Sequence, residues 1–161
     1  MFKLGKLTDY GTVVMTALAA KPDALRNAHE LAAETHVAAP TVSKLLKQLA
    51  KYGLVESIRG AHGGYRLARR PEQITVADVV SALEGPIALT QCAIHDGGCT
   101  IEPHCGVRGN WRLINTAIRQ ALESVTLAQM AEPLRGRRQA GVDSPMSFLR
   151  KLGQALPQAQ E

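Results

Sequence analysis

Apolar residues recur every three or four positions through most of the first half of the chain, with one interruption where the period shortens. Tyr10, Val13, Val14, Ala17 and Leu18 mark one buried face of a helix over residues 8–20, with Thr8 as its cap and Asp9 in its first turn. Lys21-Pro22-Asp23 breaks that helix. Asn27 opens a second, short helix, and Glu30 completes a capping-box pattern with it. Val37-Ala38-Ala39-Pro40 reads as a tight turn, with Pro40 suited to the first helical position of a third helix over residues 41–52. That helix has the clearest pattern in the chain. Val42, Leu45, Leu46 and Leu49 form its core stripe, Ser43, Lys44, Lys47, Gln48 and Lys51 take the other faces, and Gly53 stops it. The helical period then gives way to two short strands, 54–59 and 65–69, around the turn Gly60-Ala61-His62-Gly63-Gly64.

Further on, Thr75 caps a fourth helix with Asp78 in its first turn and Val79, Val80 and Leu83 on its core face, and Gly85-Pro86 ends it. Trp111, Ile114, Ile118, Leu122 and Val125 then recur along a long helix over residues 107–125, widened by Leu113, Ala117 and Ala121. A small domain cannot bury so broad a stripe within itself, so this helix is expected to pair with a second copy. Thr126-Leu127-Ala128-Gln129 repeats the capping-box pattern and predicts one more turn. From Pro133 onward Gly, Pro, Gln and Arg dominate, a composition that predicts disorder.

The elements predict a mainly α fold with a small β-wing. Residues 1–85 form a winged helix-turn-helix, 86–106 a cysteine-rich loop, 107–132 a long C-terminal dimerisation helix, and 133–161 a disordered tail. Charge adds to this picture because it is unevenly spread. Residues 1–72 hold 11 Lys/Arg against 6 Asp/Glu, residues 73–134 hold 3 against 6, and the tail holds 5 against 2. A basic first half implies a polyanionic partner. A lone lysine stripe is more often a solvated surface. The basic hairpin directly after the third helix changes that balance, because a helix for the major groove followed by a wing for the backbone or minor groove is a DNA-reading arrangement. Ser43, Lys44 and Lys47 are the candidate groove contacts, with Arg59, His62, Gly63 and Arg66 on the wing. No apolar run approaches the ~18 residues of a membrane span, and the first residues lack the apolar region of a signal peptide, so a cytoplasmic protein is expected. No catalytic constellation and no glycine-rich nucleotide fingerprint is evident, so no enzymatic activity is expected.

All three cysteines lie in one stretch, Cys92, Cys99 and Cys105, spaced C-x6-C-x5-C and interspersed with His95 and His104. An odd number of cysteines in a cytosolic chain points to metal or redox use rather than to a disulfide framework. Three thiolates suit an iron–sulfur cluster with one further ligand, or a structural Zn(II) completed by His104 as a Cys3His site.

The stretch L-T-D-Y-G-T-V-V-M, the helix-turn-helix, the wing R-G-A-H-G-G-Y-R-L-A-R and the three-cysteine loop before a long helix together resemble the Rrf-type transcriptional regulators. The resemblance runs from Met1 to about Ala131 and is nearest to members that control SUF-type iron–sulfur assembly. It implies a homodimeric repressor on a two-fold symmetric double-stranded operator. It also implies a labile 2Fe–2S cluster, with 4Fe–4S as the other form, that senses iron–sulfur, redox or nitric oxide status. Cys92, Cys99 and Cys105 match the family's cysteines. The histidine that some members place after the third cysteine is Arg108 here, which cannot ligate. Asp9 matches the position from which other members supply a carboxylate from the partner subunit, and His104 is the local alternative. Outside that resemblance, Asp9 reads as a charge favoured by the start of a helix.

Overall fold

The computed structural model describes residues 4–60, 62–91 and 104–132, and those up to Ala131 belong to one compact unit. The expected tail, 133–161, lies outside the described residues. The helices are α1 (Lys6–Ala19), α2 (Ala28–Thr35), α3 (Ala39–Lys51), α4 (Val76–Glu84), α5 (Arg108–Glu123) and α6 (Leu127–Ala131). Strands β1 (Val55–Ile58) and β2 (Gly64–Leu67) form an antiparallel hairpin in which Val55 faces Leu67 and Ile58 faces Gly64.

The core is built where the amphipathic faces of α1 to α4 meet. Val42, Leu45, Leu46 and Leu49 of α3 are all buried, as the stripe predicts. Each such side chain contributes roughly 1.5–3 kcal/mol by leaving water. The capping boxes also hold. Asn27 accepts from the His29 and Glu30 amides while Glu30 accepts from the Asn27 amide. Thr75 and Asp78 do the same for α4. The predicted extra turn is α6, closed by Thr126 and Gln129, and its Leu127 is fully buried. Backbone bonds from Val76 to the Val125 carbonyl and from Leu127 to the Ile74 carbonyl tie the end of α5 to the start of α4.

The first helix departs from expectation in two ways. It starts at Lys6, and Thr8 is not its cap: the Thr8 side chain is buried and its hydroxyl donates to Glu84 Oε1 at 2.5 Å. The buried face is Thr8, Gly11, Val14, Met15, Leu18 and Ala19, whereas Tyr10 and Val13 are 38% and 42% exposed. Apolar residues flank α1 on more than one side, so periodicity alone could not say which face meets the core. Smaller shifts occur elsewhere. α3 begins at Ala39, so Pro40 takes its second position, and α5 spans Arg108–Glu123.

The wing is pinned from outside. Arg26, just before α2, exchanges backbone hydrogen bonds with Tyr65 of β2 at 2.9 and 2.8 Å. Gly63 is needed for close approach rather than for a positive φ: a Cβ there would lie 2.3 Å from the Ile58 carbonyl oxygen. Gly63→Ala should therefore open the hairpin and destabilise the domain by about 1–3 kcal/mol, read as a lower denaturant midpoint.

Glu84 generates a pH dependence. Its carboxylate accepts from the Thr8 hydroxyl and from the Gly5 amide at 2.7 Å, and these bonds hold it below its ordinary value of 4.5. A depressed carboxylate stabilises the fold fully above its unfolded value and loses that contribution as pH falls through the folded one. Glu84→Gln should therefore be less stable than the parent at pH 7, and the two melting temperatures should converge as pH drops below about 4.5. Some acid sensitivity should persist in the variant, because Glu34 is likewise lowered by its hydrogen bond from Arg26.

Candidate nucleic-acid interface and cysteine loop

α2, the turn through His36 and α3 make the helix-turn-helix. His36 sits in the left-handed region (φ 56°) and lets the chain reverse between the two helices. With the core stripe of α3 turned inward, Lys44, Lys47 and Lys51 project outward on one face and are exposed, and Ser43 is half-buried beside them. The hairpin follows directly, with Arg59 and His62 exposed and Gly63 half-buried. Ala61 at its tip lies outside the described residues.

Not every wing arginine is equally available. Arg66 grips Glu56 across the hairpin, with Nε and Nη2 each 2.9 Å from Oε2. Both partners are about half exposed, so the pair contributes ~0–1 kcal/mol and a phosphate could replace Glu56 at small cost. Arg69 donates to the Gln73 carbonyl at 3.3 Å and lies 3.8 Å from Asp78, which directs it toward the body of the domain.

On the other side of the domain's sequence, the cysteine loop is described only at its ends. Cys105 is a half-buried free thiol just before α5, and His104 beside it is exposed. Cys92, Cys99 and His95 lie outside the described residues. Among the described residues no group of three or more His, Cys, Asp or Glu gathers in ligating range, so the structure does not bring the expected ligand set together. The donor chemistry itself fits an iron–sulfur cluster: three thiolates, a free Cys105 among them, plus one carboxylate or imidazole. Asp9 is exposed in the first turn of α1 and lines a groove of about 280 Å³ with Tyr10, Val13, His36 and Thr41. An exposed carboxylate at the rim of a groove is open to a ligand from a second chain.

Three residues that matter here were not singled out from the sequence. Asn115 is 8% exposed, accepts from the Leu89 amide and donates to the Ile87 carbonyl, both at 3.1 Å, and so fastens the segment after α4 to α5. A polar residue within the stripe Trp111, Ile114, Ile118, Leu122 was the available signal. Gln48 turns inward from α3, and Glu84 closes on α1; neither carries any local signature. Trp111, Leu113 and Ile114 of α5 are 39–43% exposed, apolar area that the described residues leave open. No described helix is long and apolar enough to cross a membrane.

Known proteins share this arrangement. The family model Rrf2, described as an iron-dependent transcriptional regulator, matches residues 4–133. The chain is similar to the HTH-type transcriptional regulator NsrR of Halalkalibacterium halodurans, at 32% identity over 130 residues, covering 80% of this chain and 89% of that one. It is similar in structure to CymR, the global cysteine regulator of Bacillus subtilis, with a TM-score of 0.64 at 30% identity over 81% of this chain and 97% of that one. The IscR of T. potens superposes with a TM-score of 0.62 at 30% identity, over 80% and 85% of the two chains. The chain belongs to the Rrf2 family of winged-helix transcriptional regulators.

Proposed function

We propose that this regulator is a homodimeric, DNA-binding repressor whose operator affinity reports the state of an iron–sulfur cluster held by Cys92, Cys99 and Cys105. The observation that supports this reading is that all three cysteines fall in the stretch of sequence between α4 and α5 of a winged-helix domain. Asp9 of a second copy supplies the fourth ligand, with His104 as the local alternative. The cluster, 2Fe–2S in preference to 4Fe–4S, supplies a centre that oxidants, nitric oxide or iron scarcity can alter or remove. One weaker oxygen or nitrogen ligand among thiolates leaves one iron more easily displaced. The genes controlled are those of SUF-type iron–sulfur assembly, and the protein acts in the cytoplasm.

The chain's own residues do the rest. Trp111, Leu113 and Ile114 of α5 contribute to the dimer surface, because exposed large apolar side chains on a small domain favour self-association. Pairing sets the two copies of α3 about 34 Å apart, one turn of DNA. Ser43, Lys44 and Lys47 then enter successive major grooves, while Arg59, His62, Gly63 and Arg66 follow the backbone beside them.

The decisive experiment is anaerobic absorption and Mössbauer spectroscopy of the purified protein, with Asp9→Ala and His104→Ala beside it. A brown protein with iron–sulfide bands is expected, and Asp9→Ala should lose its cluster faster than the parent under air. A colourless protein containing zinc would replace this reading with a structural Cys3His site. The DNA contacts have a separate check. Lys44→Ala and Lys47→Ala should each weaken binding to all duplexes alike and lower the salt slope by about 1, measured by anisotropy titration across salt concentrations.

A further inference from the structure

The last turn of α4 is clasped from two sides. From α3, Gln48 Nε2 donates to the carbonyls of Ala82 at 3.0 Å and Leu83 at 3.2 Å. Those carbonyls belong to the final turn of a helix, where no intrahelical partner exists, so a side chain of α3 supplies the C-terminal cap of α4. From α1, the Gly5 amide and the Thr8 hydroxyl both donate to Glu84. Thr8 immediately precedes Asp9. Leu83 also lies against Gly11 so closely that a Cβ there would fall 2.2 Å from Leu83 Cδ1. Beyond Gly85 the chain is held again, at Ile87 and Leu89 by Asn115, and then reaches Cys92.

Hydrogen bonds therefore join the last turn of α4 to the DNA-reading helix and to the turn that carries Asp9. The chain itself, through Gly85-Pro86, joins α4 to the approach to the first cysteine. The bonds of Gln48 and of the Thr8 hydroxyl are partly buried, where leaving a donor or acceptor unpaired is costly. A shift of the last turn of α4 must therefore carry α3 and the start of α1 with it.

We propose that Gln48 and Glu84 are positioning residues that transmit the state of the cysteine loop to α3. The inference rests on the cluster reading above and goes beyond it by naming the joint through which the loop acts. Gln48 holds the recognition helix to the element that leads into the loop. Glu84 holds that same element to the turn whose Asp9 reaches the second copy.

The test uses full-length protein, cluster-loaded and cluster-stripped, and a duplex selected by the wild-type protein from a random-sequence pool. Affinities are measured at one fixed salt concentration, with absorption spectrum and melting temperature recorded for every protein. For the wild type the two states should differ by about 5–150-fold. In Gln48→Met and in Glu84→Leu that ratio should fall to near one while the cluster spectrum stays unchanged. Glu84→Gln, whose amide oxygen can still accept from Gly5 and Thr8, should keep it. Amide exchange gives a reading without DNA: α3 should change its protection on cluster loading in the wild type and not in Gln48→Met. Variants that keep the full ratio, or that lower both affinities in parallel, would show a purely structural role and overturn the proposal. If Gln48→Met fails to fold, the Glu84 pair decides alone. A wild type with no cluster, or with equal affinities in both states, defeats the cluster reading before any variant is compared, and the relay falls with it.

Discussion

The burial of one face of α3 governs what the other face can do. Val42, Leu45, Leu46 and Leu49 are held in the core at 0–1% exposure, and this sets which side of the helix faces outward. Lys44, Lys47 and Lys51 are thereby directed outward on the opposite face. The wing inherits the same constraint. β1 follows α3 after a short turn closed by the bond from the Leu54 amide to the Leu49 carbonyl, and Arg26 clamps β2 from the other side. A DNA-reading surface built this way owes its shape to apolar packing and its affinity to charge, two terms that respond to different conditions. Salt weakens the second and leaves the first nearly untouched.

α5 obeys the opposite logic. Its apolar positions recur as regularly as those of α3, yet Trp111, Leu113 and Ile114 remain open to solvent while the polar Asn115 is buried. Asn115 is satisfied there because both halves of its amide find backbone partners, at Ile87 and Leu89. That pairing costs less than burying an unpartnered amide and fixes where the chain leaves for the cysteine loop. The helix thus serves two surfaces, one turned to its own domain and one to a second copy in the proposed dimer.

The last turn of α4 ties these halves together. It lies between the recognition helix, the N-terminal turn of α1 and the exit to the loop: Gln48 of α3 donates to its Ala82 and Leu83 carbonyls, and the Gly5 amide and Thr8 hydroxyl donate to its Glu84 side chain. Glu84 also illustrates how a solvent-facing carboxylate can be informative: its depressed protonation range comes from the Thr8 hydroxyl and the Gly5 amide, not from an ion pair.

Much of this was legible in the chain because it depends on neighbours in sequence. The Asn27–Glu30 capping box, the Thr75 cap with Asp78 in the first turn, the α3 stripe and the hairpin around Gly63 are local patterns, and the structure keeps each of them. The cysteine spacing and the wing sequence were enough to point to the family. Periodicity did not settle which apolar residues of α1 go inward, since Tyr10 and Val13 are as apolar as the residues that do. Nor could it show that Thr8 bonds 76 residues away to Glu84 rather than capping its own helix. Gln48 looked like one more polar position on a basic helix until α4 was placed against it. The elements, the basic face of α3 and the clustering of three cysteines in one stretch could be read from the sequence, because propensity, amphipathicity and residue spacing act over a few residues. Only the tertiary structure decided which polar side chains lock the helices to one another, because a hydrogen bond between distant segments leaves no period in either of them.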